Sequence, residues 1–326
     1  MEQKKRYKKG FVLGKFLPPH KGHIYLVEAA MKQTDDLTVL VCTTSREPIP
    51  GAHRYQWMKE LLPHARVIHV TDEVPSYPHE HPDFWNIWTS LLKREIDPQT
   101  EVFFSSEEYG NEVAERLGIK HILIDMERKA FSVSGTAIRN NPLANWNFIP
   151  ENVKPYFVKR IVLTGPESTG KTTMAGLLAA YYKTVWAAEF GREYFVSQGG
   201  KLVIDDIQKI AEGQLKQEDE AVLKANKFLF CDTDLIVTQI WSEIYFNECP
   251  PAVIDKSYER KYDLYLLMDI DIPWEDDGTR EFPHLRQWHF NRIKDELDKR
   301  GLNYGIISGS YAERQQAVIS LLKKYG

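Results

Sequence analysis

Eight residues constrain this chain more than any other stretch: Gly165-Pro166-Glu167-Ser168-Thr169-Gly170-Lys171-Thr172. They follow the apolar, β-branched run Arg160–Thr164 and precede TTMAGLLAAYY, a run of helical composition. The glycines let such a loop wrap so that successive backbone N–H groups point at phosphate oxygens. The helix N-terminus behind it adds partial positive charge. Lys171 is spaced to bridge the β- and γ-phosphates, and the Thr172 hydroxyl to take a Mg²⁺ position. With Gly165, Glu167, Ser168, Thr169, Gly170 and Thr173 they form a candidate ATP-binding set.

The residues beyond this loop extend the pattern. Strands are expected over Thr184–Ala188, Phe228–Asp232, Leu264–Asp269 and Tyr304–Ile307, with helices over Thr172–Tyr181 and Asp205–Asn226. FLFCDTD ends an apolar strand on acids: Asp232 is the expected metal-side ligand, and Asp234 an acceptor ligand, a base or a helix cap. Glu189 and Arg192 stand at the end of the strand after the loop helix, where they hold a polar acceptor or simply pair with each other. The arginine-bearing stretch after LYLLMD reads as a mobile lid, with Arg280 and Arg286 available to neutralise charge during phosphoryl transfer. No guanine-reading NKxD is present, and Asp-Thr-Asp stands in place of a DxxG switch. A small-molecule kinase is expected rather than a motor or switch GTPase.

The first half alternates in the same way. Strands are expected at Gly10–Leu13, Leu37–Thr43, Arg66–Val70, Glu101–Ser105 and His121–Asp125, and helices at His23–Lys32, Arg54–Leu62, Phe84–Arg94 and Gly110–Leu117. Strands separated by helices mean βαβ units and a parallel sheet. The proline- and asparagine-rich segment 140–158 breaks the pattern. The expected organisation is therefore two tandem α/β domains with parallel sheets, 1–145 and 159–326, joined by a linker at 146–158.

The chain has 326 residues, with 42 basic and 46 acidic side chains, close to balanced in each half. That excludes a broad electrostatic nucleic-acid binder. Three widely spaced cysteines without a CxxC exclude a disulfide framework and a cysteine zinc site, and suit a reducing, cytoplasmic compartment. No apolar run approaches the ~20 residues that span a bilayer, so membrane insertion is not expected. MEQKKRYKKG is a basic tail without an apolar core behind it, not a signal peptide. The sequence leaves a homo-oligomer open.

The turn after the first strand is Gly14-Lys15-Phe16-Leu17-Pro18-Pro19-His20-Lys21-Gly22-His23, and late in the same half stands Ser132-Val133-Ser134-Gly135-Thr136-Ala137-Ile138-Arg139. The two segments resemble the H-x-G-H and the Ser/Thr-rich, Arg-terminated signatures of the Rossmann-like nucleotidyltransferase superfamily. SREPIPGAHRYQWM, DFWNIWTSLL and SSEEYGNEVAERLG further resemble substrate segments of nicotinamide mononucleotide adenylyltransferases. An adenylyltransferase followed by a P-loop kinase is similar to the bifunctional NadR-type proteins over nearly the whole chain.

That resemblance implies condensation of ATP with nicotinamide mononucleotide (NMN) to NAD and pyrophosphate in the first domain. In the second it implies ATP-dependent phosphorylation of nicotinamide riboside, with Mg²⁺ as cofactor and ATP as co-substrate. His20, His23 and Lys15, with Gly14 and Phe16, would meet the triphosphate. Ser134, Thr136 and Arg139 would anchor the leaving pyrophosphate. Arg46, Trp85, Asn86 and Trp88 would hold the mononucleotide, with Trp88 stacked on the pyridinium. Glu189, Arg192, Asp234 and Trp274 would hold the riboside, and Arg280 the kinase ATP. Some NadR-type proteins carry an N-terminal helix-turn-helix, and with about ten residues before the first strand repression through such a module is not expected. Two rival expectations are a fused pantetheine-phosphate adenylyltransferase and dephospho-coenzyme A kinase, and a non-catalytic NAD/ATP sensor.

Overall fold

In the computed structural model, residues 6–276, 278, 280 and 282–325 are described. They divide into two compact units, Met1–Lys154 and Pro155–Gly326.

The first unit runs β1 (Tyr7–Gly14), α1 (Lys21–Met31), β2 (Thr34–Cys42), α2 (Gly51–Leu61), β3 (Arg66–Val70), α3 (Phe84–Glu95), β4 (Val102–Ser105), α4 (Gly110–Leu117), β5 (Lys120–Leu123) and α5 (Gly135–Asn140). All pairings are parallel, in the order β3-β2-β1-β4-β5. The strands are apolar on both faces because helices cover both. Val12, Val39, Val41 and Phe104 pack with α1 and α2 on one side. Phe11, Leu40, Cys42 and Phe103 pack with α3 and α4 on the other. The order reverses between β1 and β4, and ligands of open α/β sheets bind at the strand ends beside such a point.

The second unit runs β6 (Lys159–Thr164), α6 (Lys171–Tyr182), β7 (Trp186–Ala187), α7 (Phe190–Ser197), α8 (Ile204–Val222), β8 (Phe228–Asp232), α9 (Leu235–Phe246), α10 (Pro251–Glu259), β9 (Leu264–Met268), α11 (Arg286–Lys299), β10 (Tyr304–Ile307) and α12 (Tyr311–Leu322). Its sheet is also parallel, in the order β10-β9-β6-β8-β7, with the phosphate-loop strand at the centre.

Two expectations are corrected. Residues 146–153 are not a free connection: Trp146, Ile149 and Val153 are buried, and the Asn152 amide donates to the Trp57 carbonyl and to Glu60. Of the expected lid, residues 277, 279 and 281 lie outside the described residues, and its later part is a 3-10 turn at Pro283–Leu285 and then α11, whose Phe290 and Ile293 are buried.

Candidate functional sites

In the first unit a cavity of about 560 Å³ opens at the strand ends. It brings together two motifs more than a hundred residues apart. Gly14, Lys15, Phe16, His20 and His23 line one part, and Ser134, Thr136 and Arg139 another. His20 is the N-cap of α1, and its Nδ1 accepts the His23 backbone N–H at 3.3 Å. Its ring stacks on that of His23 with centroids 3.6 Å apart. Gly22 permits this, since a Cβ there would lie 3.1 Å from the His20 ring. Burial, then the charge of Arg128, lowers the His20 pKa to about 4. Burial, His20 and Arg128 hold His23 well below the usual histidine range. Both imidazoles are therefore neutral at pH 7, each with one N–H to give. His23 Nδ1 is buried without a hydrogen-bond partner among the described residues.

Further contacts shape this turn. Phe16 takes a left-handed backbone (φ 45°) and sets its ring edge against His23 at 5.0 Å. The fully buried Arg54 donates to the Lys15 carbonyl at 2.7 Å and to Glu47 at 2.5 Å. Glu47 and Ser76 in turn hold the Lys15 ammonium at 3.1 and 2.8 Å. Ser134 caps α5 by accepting the Ala137 N–H, and Arg139 donates to the Leu17 carbonyl at 2.5 Å and to Thr136 at 3.1 Å. The second motif is thus bonded to the first. Gly135 is required where they meet, because a Cβ would fall onto the Leu17 carbonyl oxygen.

Trp85 and Trp88 line the same cavity, and Trp88 donates its indole N–H to the Pro75 carbonyl at 2.9 Å. Arg46 and Asn86 are not among the lining residues. Arg46 is exposed and donates to the Val74 carbonyl and Glu80, while Asn86 donates to Asp83. Arg128, Tyr109 and Glu47 line the cavity without having been singled out from sequence. Only the surrounding segments, SREPIPGAHRYQWM and SSEEYGNEVAERLG, marked Glu47 and Tyr109.

In the second unit the phosphate loop closes on itself. Lys171 Nζ donates to the Gly165 and Pro166 carbonyls at 2.9 and 2.8 Å. Burial lowers its pKa, against the opposing charges of Glu189 and Asp232. The Thr172 hydroxyl donates to Asp232 at 2.5 Å. Asp232 is buried at the end of β8, and its other oxygen has no partner among the described residues. Burial, then Glu189, raises its pKa to about 6. Thr169 is buried on the Pro166 carbonyl, and Thr173 is exposed as the third residue of α6. Gly170 (φ 78°) lies where a Cβ would meet the Tyr311 hydroxyl.

The fully buried Arg314 supports this loop from α12, donating to the Thr169, Gly309 and Asp269 carbonyls and to Asp271. From the other side Ser168 ties it to the following segment, accepting from the Glu275 N–H and from Arg280 at 2.9 and 3.2 Å. Arg286 donates to the Ser168 carbonyl.

A cavity of about 110 Å³ beside the loop is lined by Gly165, Glu167, Lys171, Glu189, Arg192 and Arg280. Glu189 and Arg192 pair at 3.6 Å. Asp234 is not on that wall. It caps α9 through the Val237 N–H at 3.2 Å, and burial raises its pKa to about 6. Trp274 is also absent from the lining, while Trp241 and Tyr245 are present. Trp241 had no signal of its own, because it sits in the largely apolar LIVTQIWSEIYF.

No helix among the described residues is long and apolar enough to cross a membrane. Residues 11–141 match the cytidylyltransferase-like family model, and residues 160–314 the AAA domain. The chain is 35% identical over 295 residues to the trifunctional NAD biosynthesis/regulator protein NadR of Escherichia coli (strain K12), covering 83% of this chain and 71% of that protein. The identity to the protein of that name from Salmonella typhimurium is 34%, with the same coverage. Two crystal structures of NadR protein share its fold: one in complex with NR (TM-score 0.80, 22% identity, covering 99% of this chain and 98% of that one), the other with NAD and AMP-PNP (TM-score 0.81, 23% identity, covering 99% and 97%). The chain belongs to the NadR family of NAD biosynthesis and regulator proteins.

Proposed function

We propose that this chain is a bifunctional NAD-salvage enzyme. Residues up to Lys154 would transfer an adenylyl group from ATP to NMN, giving NAD and pyrophosphate. Residues from Pro155 would phosphorylate nicotinamide riboside to the mononucleotide. The reading rests above all on the convergence of the His20–His23 turn, the Ser134–Arg139 turn and two tryptophans on one cavity.

Attack of the mononucleotide phosphate on the ATP α-phosphorus needs alignment and charge neutralisation, not a protein nucleophile. His20 and His23 would each donate one N–H to phosphate oxygens. Lys15 would leave Glu47 and Ser76 for the triphosphate, and Ser134, Thr136 and Arg139 would hold the leaving pyrophosphate. Trp88 and Trp85 offer the aromatic face for the pyridinium. Arg46 and Asn86, exposed and bonded elsewhere, have no part in this account.

In the kinase unit Lys171 and the loop N–H groups, Gly165 to Thr173, would hold ATP phosphates, with Arg280 beside them. Thr172 and Asp232 are hard oxygen donors, one with a free buried oxygen, and fit Mg²⁺ completed by phosphate and water. That ion would neutralise charge on the transferred group. Glu189 and Arg192 would meet the ribose hydroxyls, and Glu189 would take the proton of the attacking hydroxyl. Trp241, which lines the cavity, would hold the riboside in place of Trp274, and Asp234 serves the fold as a helix cap.

A set of assays tests this: purified chain with ATP and, in separate reactions, nicotinamide riboside, NMN or dephospho-coenzyme A. Turnover of the first two is expected. Turnover of dephospho-coenzyme A alone would establish the rival fusion, and no turnover of any substrate would establish a sensor.

A further inference from the structure

We propose that Ser105, His121 and Asn111 form a hydrogen-bonded line that positions the ATP-facing wall of the first cavity. This rests on the reading of that cavity as an adenylyl-transfer site. Ser105 ends β4 and is buried, yet it lines the cavity. Its Oγ lies 2.9 Å from His121 Nε2 on β5, and His121 Nδ1 lies 2.7 Å from Asn111 Oδ1 on α4. The Asn111 oxygen takes the imidazole proton on Nδ1, so Nε2 and the Glu107 carbonyl, 2.9 and 2.8 Å from Oγ, share the one serine proton. Burial holds the His121 pKa below the usual value, which keeps that neutral tautomer.

Ser105 Oγ also accepts the Glu107 N–H at 3.3 Å and lies 2.8 Å from the Glu107 carbonyl. The hydroxyl is therefore the point where β4, β5 and α4 meet the loop that carries Ser106, Glu107 and Tyr109 into the cavity. With contacts on every side it is a positioning group and not a nucleophile. The His121 ring is fixed from below by stacking on Phe103 at 5.6 Å. Gly110 closes the arrangement, since a Cβ there would fall onto both His121 Nε2 and Ser105 Oγ.

This wall is given to ATP because its chain segment leads on, through β5, to the Ser134–Arg139 turn. β4 and β5 lie on the far side of β1 from β2 and β3. The Ser134–Arg139 turn, which would take the pyrophosphate end, follows β5 in the chain and lines the same cavity. Trp88 is tied instead to Pro75, after β3.

The test is steady-state adenylyl transfer, varying ATP at saturating NMN and then the reverse. The variants are Ser105→Ala, His121→Phe (which keeps a ring on Phe103), their double variant, and His121→Gln (which keeps a donor and an acceptor). Loss of one buried hydrogen bond predicts a KM for ATP raised about tenfold in each single variant. A shared line predicts that the double variant is no worse than either single one. KM for NMN and kcat should stay within about twofold, and His121→Gln should recover most of the loss. An unchanged KM for ATP, a rise confined to KM for NMN, or a fall in kcat and melting temperature that His121→Gln does not relieve would each overturn the proposal. A wild-type chain without adenylyl transfer would instead overturn the underlying reading.

Discussion

The Thr172 hydroxyl donates to Asp232 across 2.5 Å, joining the first turn of α6 to the end of β8. One partner follows the phosphate loop and the other ends the neighbouring strand, sixty residues later. Between them they present two oxygens where a nucleotide-bound cation would sit. Asp232→Asn keeps the shape and removes the charge. Riboside phosphorylation should fall roughly 10²–10³-fold, the usual cost of one preorganised electrostatic contact. Adenylyl transfer by the same preparation should be unaffected. Full kinase activity in Asp232→Asn would exclude Asp232 from the metal side.

Gly135→Ala tests the junction of the two motifs in the first unit. The added Cβ would strike the Leu17 carbonyl, a backbone atom that cannot swing away. Arg139 and the α5 N-terminus should shift together, and a misplacement of about 1 Å costs on the order of 10²-fold in rate. Adenylyl-transfer kinetics should show that loss, with riboside phosphorylation intact. A wild-type rate would mean that Arg139 need not be held where it is.

The stacked histidines predict a pH effect of defined sign. His20 is held at about 4 in the folded state, against 6.5 for the free side chain. Between those values the unfolded chain binds more protons, so stability falls as pH falls through that window. His23 acts in the same direction. Asp232 and Asp234, raised to about 6, act in the opposite sense within the second unit. The His20 ring resonance, assigned through His20→Gln, should titrate near pH 4 by NMR. A midpoint near 6.5 would mean that the imidazole is solvated.

Arg314→Ala should destabilise the second unit by roughly 3 kcal/mol, because it strands carbonyls of Thr169, Gly309 and Asp269 in the interior. Arg314→Lys should recover only part, since one ammonium cannot reproduce a planar fork of donors. Chemical denaturation with and without an ATP analogue measures both. The analogue should partly restore the midpoint by binding the folded loop.

Motifs whose chemistry is local could be read from residue order alone. The phosphate loop, the His20–His23 turn and the Ser134 cap need only neighbouring backbone, so their spelling carries their geometry. Parallel pairing also followed, because strands alternating with helices give crossover connections, whereas the order of the strands did not. The supports could not be read in this way. Arg314 reaches Thr169 across 145 residues. Arg54 reaches Lys15 across 39, and both arginines look like ordinary surface charge in sequence. Trp241 was hidden because an aromatic in an apolar helix fits a core as well as a cavity wall. Asp234 was ambiguous for a related reason: an acid after a strand serves equally as ligand or cap, and here the Val237 N–H takes it. Trp186–Ala187 forms a strand of only 2 residues, too short for periodicity to bound.

The central claim is that two independent sites act in sequence within one chain, and NAD formation by Lys171→Ala tests it most directly. With ATP and NMN the variant should form NAD at the wild-type rate. With ATP and nicotinamide riboside it should form roughly 10³-fold less than wild type. NAD formed from the riboside at the wild-type rate would contradict the account, and so would loss of NAD formation from the mononucleotide.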